Sequence, residues 1–133
     1  MSLHQLSNDK RRDMSAAAMR TFPNIVRDWG LKEQEAAVLL GVPDSTYRRW
    51  RKVPDSARLD VNHLERMSLL LGIYKALQIL LPNAEAADAW LRRPNRNPLF
   101  AGQAPLDRLR QGLVADLYVV RQYLDAARGG GFA

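Results

Sequence analysis

Four cationic side chains occupy five consecutive positions in the first half of the chain, a spacing suited to binding a polyanion. Arginine and lysine donate charge-assisted hydrogen bonds to phosphate, and arginine also bonds two acceptors of a guanine edge at once. The residues predicted to face bases or phosphates are Ser45, Thr46, Arg48 and Arg49, and those predicted to contact backbone phosphates are Arg51 and Lys52. Asp44 precedes them, where a carboxylate can accept hydrogen bonds from the first N–H groups of a helix.

Residue types that carry catalysis are scarce in this sequence. The two histidines, His4 and His63, have no second histidine at metal-ligand spacing, and there is no cysteine. No phosphate-binding loop, dinucleotide glycine motif or nucleophile elbow is present. Asp107, Asp116 and Asp125 are spread along a predicted helix, where solvation of surface charge explains them. We therefore expect no catalytic residue, no metal site and no cofactor, and the protein is not expected to be an enzyme.

Around the basic segment, the sequence predicts two short helices joined by a glycine turn. Ala36 and Ala37 on the first helix are small enough to let the two helices approach closely. Gly41 supplies the turn, since a positive φ costs least without a Cβ. Tyr47 and Trp50 form the inner face of the second helix. This pattern is typical of a helix-turn-helix, whose second helix enters the DNA major groove. An ordinary helical hairpin is the alternative, and the clustered positive charge favours DNA.

The composition agrees with a globular protein that has a polyanionic partner. Hydrophobic residues make up 47%, and 20 Lys and Arg against 14 Asp and Glu give a net charge of +6. Net charge alone does not distinguish DNA from RNA or a membrane surface. No apolar run approaches the ~20 residues that cross a bilayer, and the N-terminus lacks a signal-peptide core. We expect a cytoplasmic protein.

Helical spacing recurs along the chain and strand signals are weak, so the predicted fold is all-α. Phe22-Pro23 is predicted to break the chain after the first helix. Pro105 suits the first turn of one long final helix, about 35 Å at ~1.5 Å per residue. Besides the two helices of the turn motif, the predicted helices are about residues 10–20, a short one ending at Gly30, 62–81, 84–92 and one from Pro105 to about 128.

The predicted helix at 62–81 is unusually apolar. Its polar positions form one narrow stripe, so most of its surface must be packed. This predicts a central core helix, a subunit interface, or both, and we expect a homodimer. Asn62 and Glu65 have the spacing of a capping box at its start.

Two motifs in the second half of the chain are fairly specific in combination. Trp-Leu-x-x-Pro-Asn occupies residues 90–95, and Gly-x-x-Pro-Leu occupies residues 102–106. They follow the sequence Ile-Tyr-Lys-Ala-Leu at 73–77 and precede the closing amphipathic helix. From about Leu69 to Gly130, the chain resembles the C-terminal domain of the Xre/MbcA/ParS antitoxin family. With the helix-turn-helix upstream, the resemblance covers roughly residues 25 to 130.

The resemblance implies an antitoxin of a type II toxin–antitoxin system. Such an antitoxin binds and neutralises a neighbouring toxin, usually a RES-domain protein that degrades NAD, and represses its own operon. The predicted domains are a basic arm and helix at 1–20, an Xre-like helix-turn-helix domain at 21–81 and a toxin-binding domain at 82–133. The implied partners are a RES-domain toxin and operator DNA.

The predicted toxin-contacting residues lie between Trp90 and Asn95 and at the C-terminus. They are Trp90, Arg92, Arg93, Pro94, Asn95, Arg128, Gly129, Gly130, Gly131 and Phe132. Alternatively, Trp90 is core and Pro94-Asn95 only a turn. Arg92, Arg93 and Arg96 form a basic cluster, and arginine is enriched at protein interfaces. A further hypothesis is that the tail from Arg128 to Ala133 reaches the toxin's substrate pocket.

A stand-alone dimeric helix-turn-helix transcriptional regulator is the alternative function. In that case, the C-terminal helices would serve only for dimerisation or for sensing an effector. Co-purification distinguishes the two, because an antitoxin forms a stable complex with the product of the neighbouring gene.

Overall fold

The computed structural model describes residues 7–129, and this part of the chain is helical without strands. The predicted all-α class is confirmed. The helices are α1 (Asn8–Asp28), α2 (Glu33–Leu40), α3 (Asp44–Lys52), α4 (Val61–Leu80), α5 (Ala84–Ala89), α6 (Pro105–Leu109) and α7 (Val114–Arg128). Short 3₁₀ turns cover Pro54–Ser56 and Trp90–Arg92. No helix within residues 7–129 is both long enough and apolar enough to cross a membrane.

Two compact units divide the chain between Ser68 and Leu69. We call residues up to Ser68 the N-terminal unit and residues from Leu69 the C-terminal unit. The division lies inside α4, so this helix contributes its first part to one unit and its second part to the other.

In the N-terminal unit, α1 is one continuous helix of 21 residues that includes Pro23. The predicted break at Phe22-Pro23 is therefore wrong. A proline inside a helix costs ~3 kcal/mol or more. Met19, Phe22, Val26 and Trp29 are all buried at helical spacing on either side of it. Burying each large apolar side chain contributes about 1.5–3 kcal/mol, so this continuous stripe outweighs the lost hydrogen bond.

The start of α4 is capped by Asp60 and His63, not by the predicted pair of Asn62 and Glu65. Asp60 Oδ1 accepts from the His63 N–H at 2.9 Å, and His63 Nδ1 accepts from the Asp60 N–H at 3.3 Å. The helix begins at Val61, one residue earlier than predicted, so its first free N–H groups lie within reach of Asp60. His63 thus has a structural role.

In the C-terminal unit, the predicted long final helix is two helices, α6 and α7. Gly112 lies between them with φ +81°, a left-handed conformation that favours glycine. Leu113 has helical spacing from Leu109 and Leu117, which predicts a place on the same buried stripe, but it is 59% exposed. The stripe continues beyond the break, where Leu117, Val120 and Leu124 are buried on α7. The apolar residues of α6 and α7 follow one continuous helical spacing, so the sequence pattern did not reveal the turn between them.

Candidate nucleic-acid and protein interfaces

The turn between α2 and α3 has the geometry of a helix-turn-helix. Gly41 ends α2 with φ +81°, and its N–H donates to the Ala37 carbonyl at 2.8 Å. Ala36 and Ala37 are fully buried, as close approach of the two helices requires. A Cβ at Gly41 would lie 2.9 Å from Arg66 Nε. The positive φ and the arginine above the turn therefore both favour glycine here.

Two buried rings anchor α3 from beneath. Tyr47 is fully buried and Trp50 is 6% exposed. Phe22 of α1 packs edge-on against Tyr47, with ring centroids 6.0 Å apart. The cap before α3 is Pro43, which contributes no side-chain hydrogen bond. Asp44 is the first residue of the helix, so its predicted role as the N-cap is wrong, although its charge still complements the helix dipole.

The opposite side of α3 carries the predicted DNA contacts. Ser45, Arg48, Arg49 and Lys52 are exposed, and Thr46 is half-buried. The side chains of Arg48, Arg49 and Lys52 form no hydrogen bond or ion pair with other residues of the 7–129 segment. They are therefore available to an external anion.

Arg51 differs from its neighbours because it already has a carboxylate partner. Its Nη2 donates to Glu33 Oε1 of α2 at 2.9 Å, and both side chains are a little over a third exposed. The ion pair joins the two helices of the motif. An exposed pair of this kind contributes about 0–1 kcal/mol. Arg51 contributes to the motif's geometry whether or not it also contacts phosphate.

The Tyr47 hydroxyl is a buried polar group that sequence reasoning did not single out. It has no hydrogen-bond partner within the described part of the chain. Burial raises the pKa of Tyr47 to about 12; Arg51 lowers that pKa and Glu33 raises it, both more weakly. The ring consequently stays neutral and acts as an apolar anchor of α3.

An aromatic cluster forms the centre of the predicted toxin-contacting region. Trp90 stacks on Tyr123 of α7 with centroids 6.2 Å apart and packs edge-on against Phe100 at 5.8 Å. Phe100 and Tyr123 are also in edge contact, at 5.6 Å. Trp90 is only half-buried, so it combines a packing role with an accessible surface. Sequence reasoning missed the contacts of Trp90 with Phe100 and Tyr123, which lie 10 and 33 residues later and belong to different elements.

The segment after Trp90 is irregular but held by local hydrogen bonds. Asn95 Oδ1 accepts from the Asn97 N–H at 2.9 Å, and Asn97 Oδ1 accepts from the Leu99 N–H at 3.0 Å. The Asn95 backbone N–H donates to the Gln103 carbonyl, and its carbonyl accepts from the Gly102 N–H, both at 3.0 Å. Asparagine side chains that bond the backbone two residues on are typical of tight turns. Asn95 therefore shapes this segment.

The remaining predicted toxin contacts are distributed around this segment and at the end of α7. Arg92, Arg93, Pro94 and Arg96 are exposed beside Trp90 in the sequence. Arg128 and Gly129 are exposed at the end of α7. The predicted contacts at Gly130, Gly131 and Phe132 lie outside the described residues.

The aspartates assigned to surface solvation have structural partners. Asp116 is buried, at 7% exposed, and accepts from Arg108 Nε at 2.9 Å, while Arg108 Nη1 donates to the Leu99 carbonyl. Asp125 pairs with Arg121 at 3.0 Å. Asp107 accepts from the Ala104 N–H at the start of α6. Solvation is therefore the wrong explanation for the buried Asp116, whereas Asp107 and Asp125 are exposed and also have partners. Residues 7–129 contain no group of three or more side chains arranged to hold a metal ion.

These two units define a class of protein: a helix-turn-helix module followed by a second compact helical unit. Residues 10–72 match the antitoxin Xre-like helix-turn-helix domain. Residues 76–130 match the antitoxin Xre/MbcA/ParS C-terminal toxin-binding domain. The chain is also 44% identical over 115 residues to the uncharacterized protein y4oB of Sinorhizobium fredii (strain NBRC 101917 / NGR234), covering 86% of each chain.

The chain therefore belongs to the Xre/MbcA/ParS antitoxin family. It is an antitoxin of a toxin–antitoxin system, with a helix-turn-helix for DNA and a domain for its toxin.

Proposed function

We propose that this antitoxin neutralises a RES-domain toxin that degrades NAD and represses the operon that encodes both proteins. The RES partner is taken from the family resemblance, and the division of labour from the two matched domains. The DNA-binding part of the proposal is best supported by α3. This helix carries exposed, unpaired Arg48, Arg49 and Lys52 on one side and buried Tyr47 and Trp50 on the other. The protein would act in the cytoplasm, by binding and not by catalysis.

On DNA, we expect a homodimer to insert two α3 helices into successive major grooves. Dimeric helix-turn-helix proteins read half-sites about 34 Å apart, one helical turn of the duplex. Arg48 and Arg49 would contact base edges or phosphates together with Ser45 and Thr46 at the leading end of the helix. Lys52 would contact the phosphate backbone. Each phosphate neutralised makes the affinity fall more steeply with salt.

On the toxin, we expect the segment from Trp90 to Asn95 to supply the central contact. A half-buried tryptophan beside exposed arginines has the composition of an interface hot spot. The aromatic cluster fixes the ring of Trp90 before binding, so little conformational entropy remains to be lost. We further expect the tail from Arg128 to Ala133 to reach the toxin's substrate pocket.

The direct test is to co-express the chain with the product of the adjacent gene and purify by a tag on one of them. We expect a stable complex, and we expect NAD consumption by the partner to stop when the antitoxin is present. Intact binding to upstream DNA without any such complex would instead favour a stand-alone regulator. A stable complex whose partner does not degrade NAD would support the antitoxin function but contradict the proposed activity of the toxin.

The tail is tested separately by deleting residues 129–133. If the tail enters the substrate pocket, the shortened protein should still bind the toxin but leave part of its NAD-degrading activity. Phe132→Ala should reproduce part of that loss. Complete inhibition by the shortened protein would exclude the tail from the blocking mechanism.

A further inference from the structure

A basic cavity lies in the N-terminal unit, on residues outside α2 and α3. Its volume is about 300 Å³, and its charged lining consists of Arg11, Arg12, Arg58 and Asp60. Arg11 and Arg12 belong to the second turn of α1. Arg58 belongs to the connector between α3 and α4. Two separate parts of the chain thus bring three guanidinium groups to one concave surface.

A buried serine in the lining of this cavity joins its two parts by hydrogen bonds. Ser15 is fully buried, and its hydroxyl donates to the Arg11 carbonyl at 2.8 Å. The same hydroxyl accepts from the Leu59 N–H at 3.0 Å. Arg58 Nη1 donates to the Asp55 and Ala57 carbonyls, both at 2.8 Å. These bonds fix the connector against α1, so the site is built before any ligand arrives.

The positive charge of the three guanidinium groups is only partly neutralised by the residues that line the cavity. Within residues 7–129 the side chain of Arg12 has no hydrogen bond or ion pair, and only Nη1 of Arg58 is engaged. Arg11 Nε is buried and lacks a hydrogen-bond partner among the same residues. The one carboxylate of the lining, Asp60, caps α4 through the His63 N–H. Three cations therefore face a single carboxylate.

We propose that this cavity binds a backbone phosphate of the DNA duplex that α3 engages. The proposal rests on the proposed DNA-binding function. Arginine forks match the tetrahedral oxygens of a phosphodiester, and the buried Arg11 Nε, which has no partner within residues 7–129, is free to donate to such an acceptor. Backbone phosphate contacts fix register without reading sequence.

The chain length places this cavity within range of the same duplex. Arg58 follows Lys52, the last residue of α3, by six residues, so their Cα atoms are at most about 22 Å apart. Each DNA strand carries a phosphate about every 3.4 Å along the axis. A duplex held by α3 therefore has several phosphates within that distance.

The test compares Arg12→Gln with Arg27→Gln, which removes the same charge from the other end of α1. Binding is measured by fluorescence anisotropy on a duplex from the region upstream of the gene and on a scrambled duplex, between about 50 and 200 mM salt. We expect Arg12→Gln to reduce the slope of log affinity against log salt by ~0.9 and to weaken both duplexes equally, by roughly threefold to tenfold. Arg12→Lys should restore most of the affinity, and Arg27→Gln should match the wild type.

Three results would overturn the proposal in distinguishable ways. A wild-type salt slope for both Arg12→Gln and the charge reversal Arg12→Glu would exclude a phosphate at this cavity while leaving DNA binding by α3 intact. Weakening on the upstream duplex alone would show that Arg12 reads bases instead. Failure of the wild-type protein to bind either duplex would refute the DNA-binding function itself, before any variant is considered. Arg12 is exposed, so matching thermal unfolding of each variant checks the fold.

Discussion

The two units of this antitoxin have the same net positive charge but carry it on different types of secondary structure. Residues 1–68 contain twelve Lys and Arg against nine Asp and Glu, and residues 69–133 contain eight against five, so each has a net charge of +3. In the N-terminal unit, α3 alone accounts for that surplus, with four cations and one aspartate. In the C-terminal unit it equals the charge of Arg92, Arg93 and Arg96, which lie in a 3₁₀ turn and an irregular segment.

This difference matches the two proposed partners. DNA is a periodic polyanion, and a straight helix with a buried anchoring face places cations at the fixed spacing that a groove requires. A protein surface has no such period, and an irregular segment can present a ring and several charges in an arbitrary arrangement. Net charge alone therefore says nothing about which unit binds DNA. The secondary structure that carries the charge is what distinguishes the DNA-binding unit.

The largest effect is expected from Arg48→Ala combined with Arg49→Ala. Each such arginine contact is worth about 1–3 kcal/mol, so the loss of two should lower the affinity for the upstream duplex by at least ~30-fold in a gel-shift or anisotropy assay. The matched control is Arg92→Ala with Arg93→Ala, which removes the same charge from the other unit. We expect the control to bind DNA as the wild type does. Equal losses in both double variants would mean that total charge, and not α3, determines binding.

Removal of the aromatic anchor should affect only the C-terminal unit. Trp90→Ala removes the ring that packs against both Phe100 and Tyr123, and we expect a loss of about 2–4 kcal/mol in the free energy of unfolding of that unit. Trp90→Phe should recover part of it. Denaturant unfolding followed by circular dichroism measures the loss. DNA binding by the same variant should be unchanged, and its loss would contradict the independence of the two units.

Alkaline pH should weaken the N-terminal unit through Tyr47. Its pKa is raised from 10.0 to about 12, so above pH 10 the unfolded chain releases a proton that the folded state retains. Stability present below pH 10 should therefore be lost between pH 10 and 12, at up to ~1.4 kcal/mol per pH unit. Tyr47→Phe should remove this dependence, whereas Tyr118→Phe, an exposed tyrosine of the C-terminal unit, should leave it in place. Denaturant titrations at pH 9, 10 and 11 measure the difference.

The smallest effects are expected at Gly41 and Gly72, where an added Cβ would lie close to the side chain of Arg66 or Arg121. Gly41 has a positive φ, so Gly41→Ala should destabilise the N-terminal unit by about 1–2 kcal/mol. Gly72 is helical, and the three atoms nearest to an added Cβ all belong to the guanidinium group of Arg121, which would have to shift. Gly72→Ala should therefore lie within ~1 kcal/mol of the wild type, since alanine gains helix propensity as the arginine shifts.

The Arg121→Ala background separates these two contributions. There, Gly72→Ala should stabilise by ~1 kcal/mol, the full helix-propensity gain. A double-mutant cycle followed by thermal unfolding measures the coupling between the two positions. Equal effects of Gly72→Ala with and without Arg121 would show that the arginine imposes no steric cost.

The parts of the structure that local pattern determines were predictable from the sequence. The turn at Gly41, the buried faces of α2 and α3 and the all-α class all depend on residues within a few positions of each other. The motif from Trp90 to Asn95 was found in the same way. The continuation of α1 through Pro23 was missed, because packing against other elements outweighs a local helix breaker.

The features that depend on distant residues were not predictable in this way. Arg108 and Asp116 pair only because the chain turns at Gly112, and a sequence pattern with one continuous period gave no sign of that turn. The basic cavity combines α1 with the connector around Arg58, more than forty residues later in the sequence. From the sequence, Lys10-Arg11-Arg12 could contact phosphate, but three charges near a terminus are more often simply solvated, and nothing local links them to Arg58.

The central claim is that the two units perform separate tasks, and toxin affinity measured on two matched double variants tests it most directly. With purified toxin in isothermal titration calorimetry, Arg48→Ala with Arg49→Ala should retain the wild-type Kd within about twofold, since neither arginine is among the predicted toxin contacts. Arg92→Ala with Arg93→Ala should weaken it by about tenfold or more. Loss of toxin binding in a correctly folded Arg48→Ala, Arg49→Ala protein, to the same degree as in the other variant, would contradict the account.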